Sequence, residues 1–446
     1  MKHLIATAGL LTAFTTIAAA ADANWPQWRG PTADGVAAAD AQPPVKWSET
    51  EGVKWKFKIP GSGTSTPAIW GDLVFITTAI SPDKKVEADK PATPPPVAPG
   101  ERPRRGGFGR AEKPSELLKF DIIAIERATG KVRWQKTATE AVPHEGAHRD
   151  HGFASFSPVT DGEHVYAYFG SRGLFCYDLK GELKWKKDFG DMQTRNSFGE
   201  GGSPALHGDT LVVVWDTEGS EDFIVALNKK TGDERWRKSR DEETGWTTPF
   251  IVTHEGKPQV VVNATNRIRS YDLASGDALW ECGGMTSNAI PTPVTADGVL
   301  YVMSGFRGAA LVALPLGKTG DITDSSRWKH SKSTPYVPSP VLAGGRLWFL
   351  AGNNGMLSCH DAKTGKPLLE AERIADLSGG VYASPIAAAG RVYLVGRDGK
   401  VVVISQSDKV EILATNTLED RFDASAAVAG KHLFLRGHQS LYCLGE

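Results

Sequence analysis

The sequence has few of the residues that mark a reactive, metal-binding or strongly charged protein. Four of its 446 residues are cysteine, and no pair has the C-x-x-C spacing of metal sites. The formal net charge is −1, so no global field draws the chain to nucleic acid or to an acidic membrane surface. A Ser-His-Asp hydrolase motif, a phosphate-binding glycine loop and a nucleic-acid-binding module are absent as well. We therefore expect no nucleic-acid partner, and any electrostatic recognition must be local.

An apolar run long enough to cross a membrane is also missing. Lys2 and His3 precede an apolar stretch from Leu4 to Ile17, and three alanines follow it. This order is typical of a cleaved secretory signal, and the stretch is too short for a convincing membrane span. We expect residues 1–20 to be a signal peptide, with an uncleaved anchor as the alternative. The mature protein is then periplasmic or secreted, without a transmembrane segment, and it is expected to be a monomer.

What the sequence does have is an internal repeat of 40 to 50 residues. Each repeat opens with a small or hydroxyl residue, followed in seven of the eight by proline, and continues with short apolar stretches that alternate with polar turns. The opening residues are Thr66, Ser157, Ser203, Thr248, Thr292, Ser339, Ser384 and Ser425. Four short strands cannot bury both faces alone, so neighbouring repeats must stack, and closing the stack into a ring removes most of the exposed edges. The repeat predicts an all-β, eight-bladed propeller of four-stranded antiparallel blades.

A tryptophan marks the fourth strand of most repeats and is expected to wedge between blades. Its positions are Trp55, Trp134, Trp185, Trp236, Trp280 and Trp328, with Leu369 and Ile412 at the last two places. A second position accepts only small or slender residues: Ala, Ser, Val and the cysteines Cys176, Cys359 and Cys443. Because free cysteine packs as a small hydrophobe, these three thiols are predicted to be buried and not catalytic.

The repeat also predicts how the ring closes. The eighth repeat stops without its outermost strand, and the unmatched segment from Val53 to Ile59 has the required alternation and the tryptophan. This N-terminal strand is expected to complete the last blade, so that the propeller spans residues 51–446. Residues 21–50 are expected to pack on the ring, and residues 81–116, rich in Pro, Arg and Gly, to form a disordered insertion.

The turn before each tryptophan identifies a family. Ala124 to Trp134, Ala226 to Trp236 and Ser270 to Trp280 share an Asp, Asn or Glu near the start and a Thr/Ser-Gly turn. The pattern resembles the pyrroloquinoline-quinone (PQQ)-like repeat of quinoprotein alcohol dehydrogenases and of the propeller subunit of the outer-membrane β-barrel assembly machinery. The motif WPQWRGP at Trp25 to Pro31 further resembles a group of exported proteins with this repeat. Two departures are visible: the adjacent Cys-Cys pair of quinoprotein dehydrogenases is absent, and so is the lipid-attachment cysteine of the assembly subunit.

Unusual residues concentrate on one rim of the predicted ring, which we call the decorated rim. It is formed by the loops between blades and by the turns between the second and third strands, and loops on a rigid scaffold often carry function. Five of those turns hold an arginine, and other loops add an amide and aromatic side chains. The predicted ligand-binding residues are Arg172, Arg267, Arg307, Arg397, Arg436, Trp246, Asn288, Tyr336 and Tyr382.

Converging guanidinium groups suit a ligand with carboxylates or phosphates, although each arginine could instead brace its own loop. His144, His148 and His151 lie within one short loop, and together with Glu200 they are the metal candidates. Asp150 and Asp423 are the candidates for acid-base catalysis.

Two functions follow from this rim. The first is an exported, non-catalytic scaffold that binds a protein, a peptide or a polysaccharide. The alternative is a quinoprotein-like alcohol or sugar oxidoreductase with PQQ and calcium, for which Glu200, Asn288 and Asp423 would be the oxygen donors. The missing Cys-Cys pair favours the scaffold, and the arginine-rich rim favours the oxidoreductase.

Overall fold

The structure is a computed structural model, and it describes residues 24–82, 110–219 and 221–445. The predicted signal peptide, residues 1–20, lies outside the described residues. So does most of the predicted insertion. The described part of the chain contains no helix that is long and apolar enough to cross a membrane.

The described residues form eight antiparallel β-sheets arranged as the blades of a propeller, which confirms the predicted fold. Strands of the first half of the chain are β1 (Val53–Lys58), β2 (Ala68–Trp70), β3 (Leu73–Ile80), β4 (Leu118–Glu126), β5 (Val132–Ala141), β6 (Val159–Thr160), β7 (His164–Tyr168), β8 (Leu174–Asp178), β9 (Leu183–Lys187), β10 (Ala205–His207), β11 (Thr210–Trp215), β12 (Phe223–Asn228), β13 (Glu234–Ser239), β14 (Phe250–His254), β15 (Lys257–Val262), β16 (Ile268–Asp272) and β17 (Ala278–Cys282).

The second half continues in the same way and contributes the remaining blades. Its strands are β18 (Val294–Ala296), β19 (Val299–Ser304), β20 (Ala310–Pro315), β21 (Gly320–Asp321), β22 (Trp328–His330), β23 (Val341–Ala343), β24 (Arg346–Leu350), β25 (Met356–Asp361), β26 (Pro367–Arg373), β27 (Ile386–Ala388), β28 (Arg391–Val395), β29 (Lys400–Ser405), β30 (Ile412–Thr417), β31 (Ala427–Ala429), β32 (His432–Arg436) and β33 (Ser440–Leu444). Short 3₁₀ turns occur at Gly170–Arg172, Arg195–Ser197 and Ala375–Leu377.

Blades one to seven begin at β2, β6, β10, β14, β18, β23 and β27. The eighth consists of β31, β32, β33 and the N-terminal strand β1, in which Trp55 pairs with Cys443. The predicted closure of the ring is therefore confirmed. The fourth blade has one addition: the short strand β21, from the loop between β20 and β22, pairs in parallel with β17.

The two recurring positions of the repeat face each other across the outer strand pair in seven of the eight blades. Ala226 pairs with Trp236 and Cys176 pairs with Trp185, so the small side chain leaves room beside the indole. In the seventh blade Val403 pairs with Ala414, and the assignment of Ile412 to the tryptophan position was wrong. Ala414 lies eleven positions after Val403, one more than the ten from Ala226 to Trp236, and no tryptophan marks the position.

Hydrogen bonds between the opening residues of neighbouring repeats join the blades around the channel at six of the eight junctions. The backbone N–H of one blade's residue donates to the hydroxyl of the next blade's residue, as from Thr66 to Ser157 and from Ser157 to Ser203, both at 2.9 Å. Four further links of the same kind join Ser203 to Thr248, Thr292 to Ser339, Ser339 to Ser384, and Ser384 to Ser425. The hydroxyl at six of the eight repeat starts thus accepts from a backbone donor of the neighbouring blade.

The segment after residue 23 lies against the end of the channel opposite the decorated rim. Trp25 is fully buried and pairs with Ile69, and Ala37 donates to the carbonyl of Ala387 at 2.8 Å. Between them, the guanidinium of Arg29 is buried and donates to the carbonyl of Pro340 at 2.5 Å. Burial lowers the pKa of Arg29 to about 10. The WPQWRGP motif therefore fills the channel from this side.

Of the predicted insertion, residues 83–109 lie outside the described residues. Arg110 and Ala111 at its end are described, and both contact the decorated rim. Arg110 Nε donates to the hydroxyl of Ser197 at 2.8 Å, and the N–H of Ala111 donates to the carbonyl of Asn196 at 2.9 Å. This end of the insertion is therefore fixed to the loop before the third blade.

Candidate functional site

A cavity of about 680 Å³ opens at the decorated rim and extends into the channel. Its size is in the range of small-molecule and peptide sites. Six of the opening residues of the repeats line its walls: Thr66, Ser157, Ser203, Thr248, Ser384 and Ser425. Trp28 of the N-terminal motif also lines it. Because the N-terminal segment enters from the opposite side, Trp28 forms part of the floor.

Aromatic side chains form one wall of the cavity. The rings of Phe306 and Tyr336 stack with centroids 4.8 Å apart, and the guanidinium of Arg307 lies 5.3 Å from the Phe306 ring. Trp246 is fixed because its Nε1 donates to the carbonyl of Gly199 at 2.7 Å. These aromatic side chains are partly exposed in the cavity, which suits stacking or apolar contact with a ligand.

Two residues of this wall have a left-handed backbone conformation that non-glycine residues rarely adopt. Asn288 has a φ of 54° and Arg307 has a φ of 52°. Asn288 is buried, and its Oδ1 accepts a hydrogen bond from Arg195 at 3.2 Å. Residues in this conformation are concentrated at binding sites, where the surrounding structure holds the strain.

Charged groups form a network on another side of the mouth. The carboxylate of Asp150 accepts hydrogen bonds from Arg397 and Arg421, both at 2.7 Å, and from the hydroxyl of Tyr382 at 3.2 Å. Arg397 also donates to Asp423 at 2.6 Å. The two catalytic candidates, Asp150 and Asp423, are thus brought to one place, but both are held by cations.

The five predicted arginines do not converge on one ligand position. Arg307 lines the cavity, whereas Arg397 lies behind Tyr382, with its guanidinium 3.7 Å from the ring. Arg172 pairs with Asp191, and Arg267 pairs with Glu281 and Asp321 outside the cavity lining. Arg436 is buried and donates to the hydroxyl and carbonyl of Ser65, and burial lowers its pKa to about 9. The bracing interpretation fits Arg172, Arg267 and Arg436.

The histidine loop likewise divides its imidazoles among different partners. His144 Nε2 donates to the carbonyl of Met192 at 2.5 Å, and His151 Nε2 donates to the carbonyl of Glu200 at 2.7 Å. The ring of His148 packs edge-on against Phe198 with centroids 5.1 Å apart. Within the described residues these side chains do not come together as metal ligands; the group with ligand atoms close enough is Asp161, Glu163 and His164, on the opposite rim.

Glu200 instead belongs to a buried polar cluster beneath that loop. Its carboxylate accepts hydrogen bonds from the N–H of Ser171 at 2.7 Å and from the Ser171 hydroxyl at 2.6 Å. Burial raises the pKa of Glu200 to about 8, against the effect of these two hydrogen bonds. Glu200 therefore lies outside the lining of the 680 Å³ cavity.

The oxygen donors named for a calcium-assisted quinone site are also apart. Glu200 is bound to Ser171, Asn288 is bound to Arg195, and Asp423 is bound to Arg397 and His438. Calcium needs six to eight oxygen ligands around one point. The described residues do not fit a calcium ion held by these three donors.

Sequence reasoning missed several residues that line the cavity. Trp28 was expected to pack on the ring, but nothing in its motif indicated that it reaches the ligand side. Phe306 precedes Arg307 in the same turn, and the signal that could have identified it is an aromatic residue in a loop of the rim. Arg195 gave no signal, because only its pairing with Glu243 and Asn288 directs it to the cavity.

Comparison with solved structures gives the fold. The chain is similar to BamB from Moraxella catarrhalis, with a TM-score of 0.51 and 13% identity over 75% of this chain and 92% of that one. It is also similar to a europium-containing methanol dehydrogenase, with a TM-score of 0.63 and 11% identity over 94% of this chain and 90% of that one. A quinohemoprotein alcohol dehydrogenase from Comamonas testosteroni matches with a TM-score of 0.61 and 11% identity over 96% and 81% of the two chains. At these identities the likeness does not decide a function.

Comparison of sequences gives the family. No curated protein matches the chain. The family profile described as outer membrane protein assembly factor BamB matches residues 176–324 and 319–411, which together are more than half of the chain. The protein therefore belongs to this family of PQQ-like repeat propellers.

Proposed function

We propose that the protein is an exported binding scaffold that recognises a protein, a peptide or a polysaccharide in the cavity of the decorated rim. One observation carries the proposal. The cavity presents fixed aromatic faces at Phe306, Tyr336 and Trp246, while the charged groups Asp150 and Asp423 at its mouth are already paired with arginines. Such a surface offers stacking and hydrogen bonding to a ligand held without covalent chemistry.

The charge pairing disfavours the catalytic alternative. A general base must lie within hydrogen-bond reach of the proton that it abstracts, and a carboxylate whose oxygens are already bonded to guanidinium and hydroxyl groups does not offer that contact to a substrate. Asp150 contacts Arg397 and Arg421, and Asp423 contacts Arg397 and His438. Neither carboxylate is available as the base of an alcohol oxidation in this arrangement.

A quinoprotein-like oxidoreductase remains the second candidate because the cavity lies at the channel mouth and has room for a cofactor of that size. Arg307 would then be the cation that meets a cofactor carboxylate, since no ion pair is formed by its guanidinium among the described residues. The oxygen donors for calcium do not come together, however, and no catalytic step is assigned.

Binding measurements separate the two functions. Isothermal calorimetry of the signal-free protein with PQQ and calcium should give no saturable heat at high micromolar cofactor, and dye reduction with alcohols or sugars should stay at background. Stoichiometric binding with turnover would instead establish the oxidoreductase.

The scaffold itself is tested with arrays of peptides and oligosaccharides. The wild-type protein should bind members of one class, and Tyr336→Ala and Phe306→Ala should lose that binding. Leu183→Ala is the matched control, because Leu183 is an exposed apolar residue on β9, outside the cavity lining. Equal loss in the control, or no loss in the cavity variants, would contradict a site at the decorated rim.

A further inference from the structure

The turn from His148 to His151 contacts parts of the ring that are distant from it in the chain. It belongs to the loop between the first and second blades, and the N–H of His151 donates to the carbonyl of His148 at 2.7 Å. At its tip, Asp150 contacts Arg397 of the seventh blade and Arg421 of the loop before the eighth. The side chain of Asp150 therefore joins segments that are more than 240 residues apart in the chain.

The surroundings of the Asp150 carboxylate have the form of a carboxylate-binding site. One oxygen accepts from two guanidinium groups at 2.7 Å, and the other accepts from the Tyr382 hydroxyl at 3.2 Å. Arg397 is held in place from below, because its guanidinium lies 3.7 Å from the Tyr382 ring and its Nε donates to Asp423. Charge-assisted hydrogen bonds from positioned arginines are the usual means of recognising a carboxylate.

The cations of this group outnumber its carboxylates. Arg397 and Arg421 face the carboxylates of Asp150 and Asp423, and the exposed side chain of Arg149 places a third guanidinium 3.8 Å from Asp150. Asp423 is fixed independently of Asp150, since it also accepts from His438 Nε2 at 2.9 Å. If the Asp150 side chain rotates away, one guanidinium charge and a hydroxyl donor are left to a carboxylate from outside.

The turn is held by bonds that do not involve the Asp150 carboxylate. The N–H of His148 donates to the carbonyl of Phe198 at 2.9 Å, and the imidazole Nε2 of His151 donates to the carbonyl of Glu200 at 2.7 Å. The N–H of Asp150 itself donates to His148 Nδ1 at 3.2 Å. A rotamer change of the Asp150 side chain would therefore empty the position while these bonds stay in place.

The present occupant indicates the class of ligand. It is an aspartate at the tip of a polypeptide turn, so the position already accepts an acidic residue together with its backbone. Asp150 and Tyr382 both line the cavity, which connects the position to the aromatic wall. A peptide whose acidic side chain enters here would leave neighbouring residues in contact with that wall.

We propose that Arg397, Arg421 and Tyr382 form a carboxylate-binding subsite, that the protein's own Asp150 occupies it as an internal competitor, and that the ligand of the cavity is an acidic peptide segment. This inference rests on the proposed binding function, whose ligand class it narrows. The apparent affinity for the peptide is proportional to the fraction of protein in which Asp150 does not occupy the subsite. Removing Asp150 should therefore tighten peptide binding.

The test uses a fluorescent copy of the turn itself, the blocked peptide of sequence AHRDHG, and a second copy with Asn in place of Asp. Fluorescence anisotropy should show the Asp peptide binding Asp150→Ala at least about tenfold more tightly than wild type, with no such gain for the Asn peptide. The double variant Asp150→Ala/Arg421→Ala should lose the gain; Arg421 is 43% exposed at its side chain, so its truncation leaves folding intact, as a thermal melt will verify.

The matched control is Asp191→Ala, which removes another aspartate paired with an arginine on the same rim. A similar gain in Asp191→Ala, or equal binding of the Asp and Asn peptides, would overturn the subsite. Binding of oligoglucuronate but not of the peptide to Asp150→Ala would overturn the peptide as ligand. If array ligands bind wild type and Asp150→Ala equally, the scaffold function stands and this inference falls; if no probe binds either protein, both fall.

Discussion

The indole of Trp185 in the second blade packs directly on Gly232 in the third. A Cβ atom added to Gly232 would lie 2.7 Å from the indole ring, and Trp185 Nε1 donates to the carbonyl of Lys229 in the same turn at 3.0 Å. The contact recurs between other blades, for example from Trp55 to Gly130 and from Trp236 to Gly276. The tryptophan and the turn glycine are therefore two halves of one contact between blades.

Gly232→Ala should destabilise the protein more than an ordinary glycine substitution. Its φ of +75° disfavours any side chain, and the added methyl group also collides with Trp185. Gly208→Ala is the control, because Gly208 has a φ of +55° but nothing within 4 Å of the new Cβ. We expect about 1 kcal/mol for the control, from backbone strain, and about 1–3 kcal/mol more for Gly232→Ala, from overpacking. If urea unfolding shows equal losses of unfolding free energy for the two variants, the Trp185 indole moves aside without a measurable cost.

Two tryptophans with different roles should respond in opposite ways. Trp236 lies between blades and its Nε1 donates to the carbonyl of Leu273 at 2.9 Å, whereas Trp246 lines the cavity. Trp236→Ala should lower the free energy of unfolding by about 3–5 kcal/mol, as large core truncations do. Trp246→Ala should cost clearly less stability and abolish ligand binding. A larger loss of stability for Trp246→Ala would mean that it is a structural residue.

Much of the fold could be predicted because the repeat copies one physical solution eight times. The spacing of tryptophan, turn glycine and small residue fixed the strand order, and the missing last strand pointed to β1. The prediction failed at Ile412, because the seventh blade replaces the tryptophan and its connection is longer: Val403 pairs with Ala414, eleven positions on, whereas Ala226 pairs with Trp236, ten positions on. Without the large side chain, the sequence offered no marker of register.

The sequence predicted on which rim the site lies, but not which side chains form it. Topology decides that Arg307 and Tyr336 share a surface, but side-chain partners decide which arginines face the ligand. Arg267 and Arg307 occupy equivalent turns, yet the first finds Glu281 and Asp321 beside it and the second does not. These acids come from strands and loops outside the turn, and a single sequence does not reveal such pairings. The approach of Asp150 to Arg397 is hidden for the same reason.

Arg307→Ala and Arg267→Ala should separate ligand binding from bracing. The sequence suggested that both would weaken a ligand. Because Arg307 lines the cavity and Arg267 is engaged with two acids outside its lining, we now expect loss of affinity for Arg307→Ala alone. Melting temperatures of both variants should stay close to wild type, since the pairs of Arg267 are solvent-exposed. Loss of binding in Arg267→Ala would mean that the ligand extends beyond the cavity.

The four thiols should be unreactive in the folded protein. All four cysteines are buried and free, and burial raises the pKa of Cys176, Cys359 and Cys443 to about 12. Because the thiolate is the reactive form, Ellman's reagent at pH 8 should detect no thiol in the native protein and four after denaturation. Fast reaction of one thiol in the native state would reveal local opening of the strand pair that holds it.

Glu200 should make the stability of the protein fall as the pH rises. Burial raises its pKa from 4.5 to about 8, so between these values the folded protein holds a proton that the unfolded chain has released. The stabilising effect of this proton is complete below about pH 4.5 and is lost as the pH rises through about 8. Glutamine resembles the protonated side chain in shape and cannot ionise.

Urea unfolding at several pH values tests this relation with Glu200→Gln and a control. At pH 5 the variant and the wild type should be similar in stability, and by pH 9 the wild type should be less stable than the variant by on the order of a few kcal/mol. Glu372→Gln, an exposed glutamate in β26, should follow the wild type throughout. If the curves of Glu200→Gln and wild type instead run parallel, Glu200 is ionised in the folded protein at neutral pH, and the two hydrogen bonds from Ser171 outweigh its burial. In that case the titration of Glu200 would not affect the position of the loop above it, which presents Asp150 to the cavity.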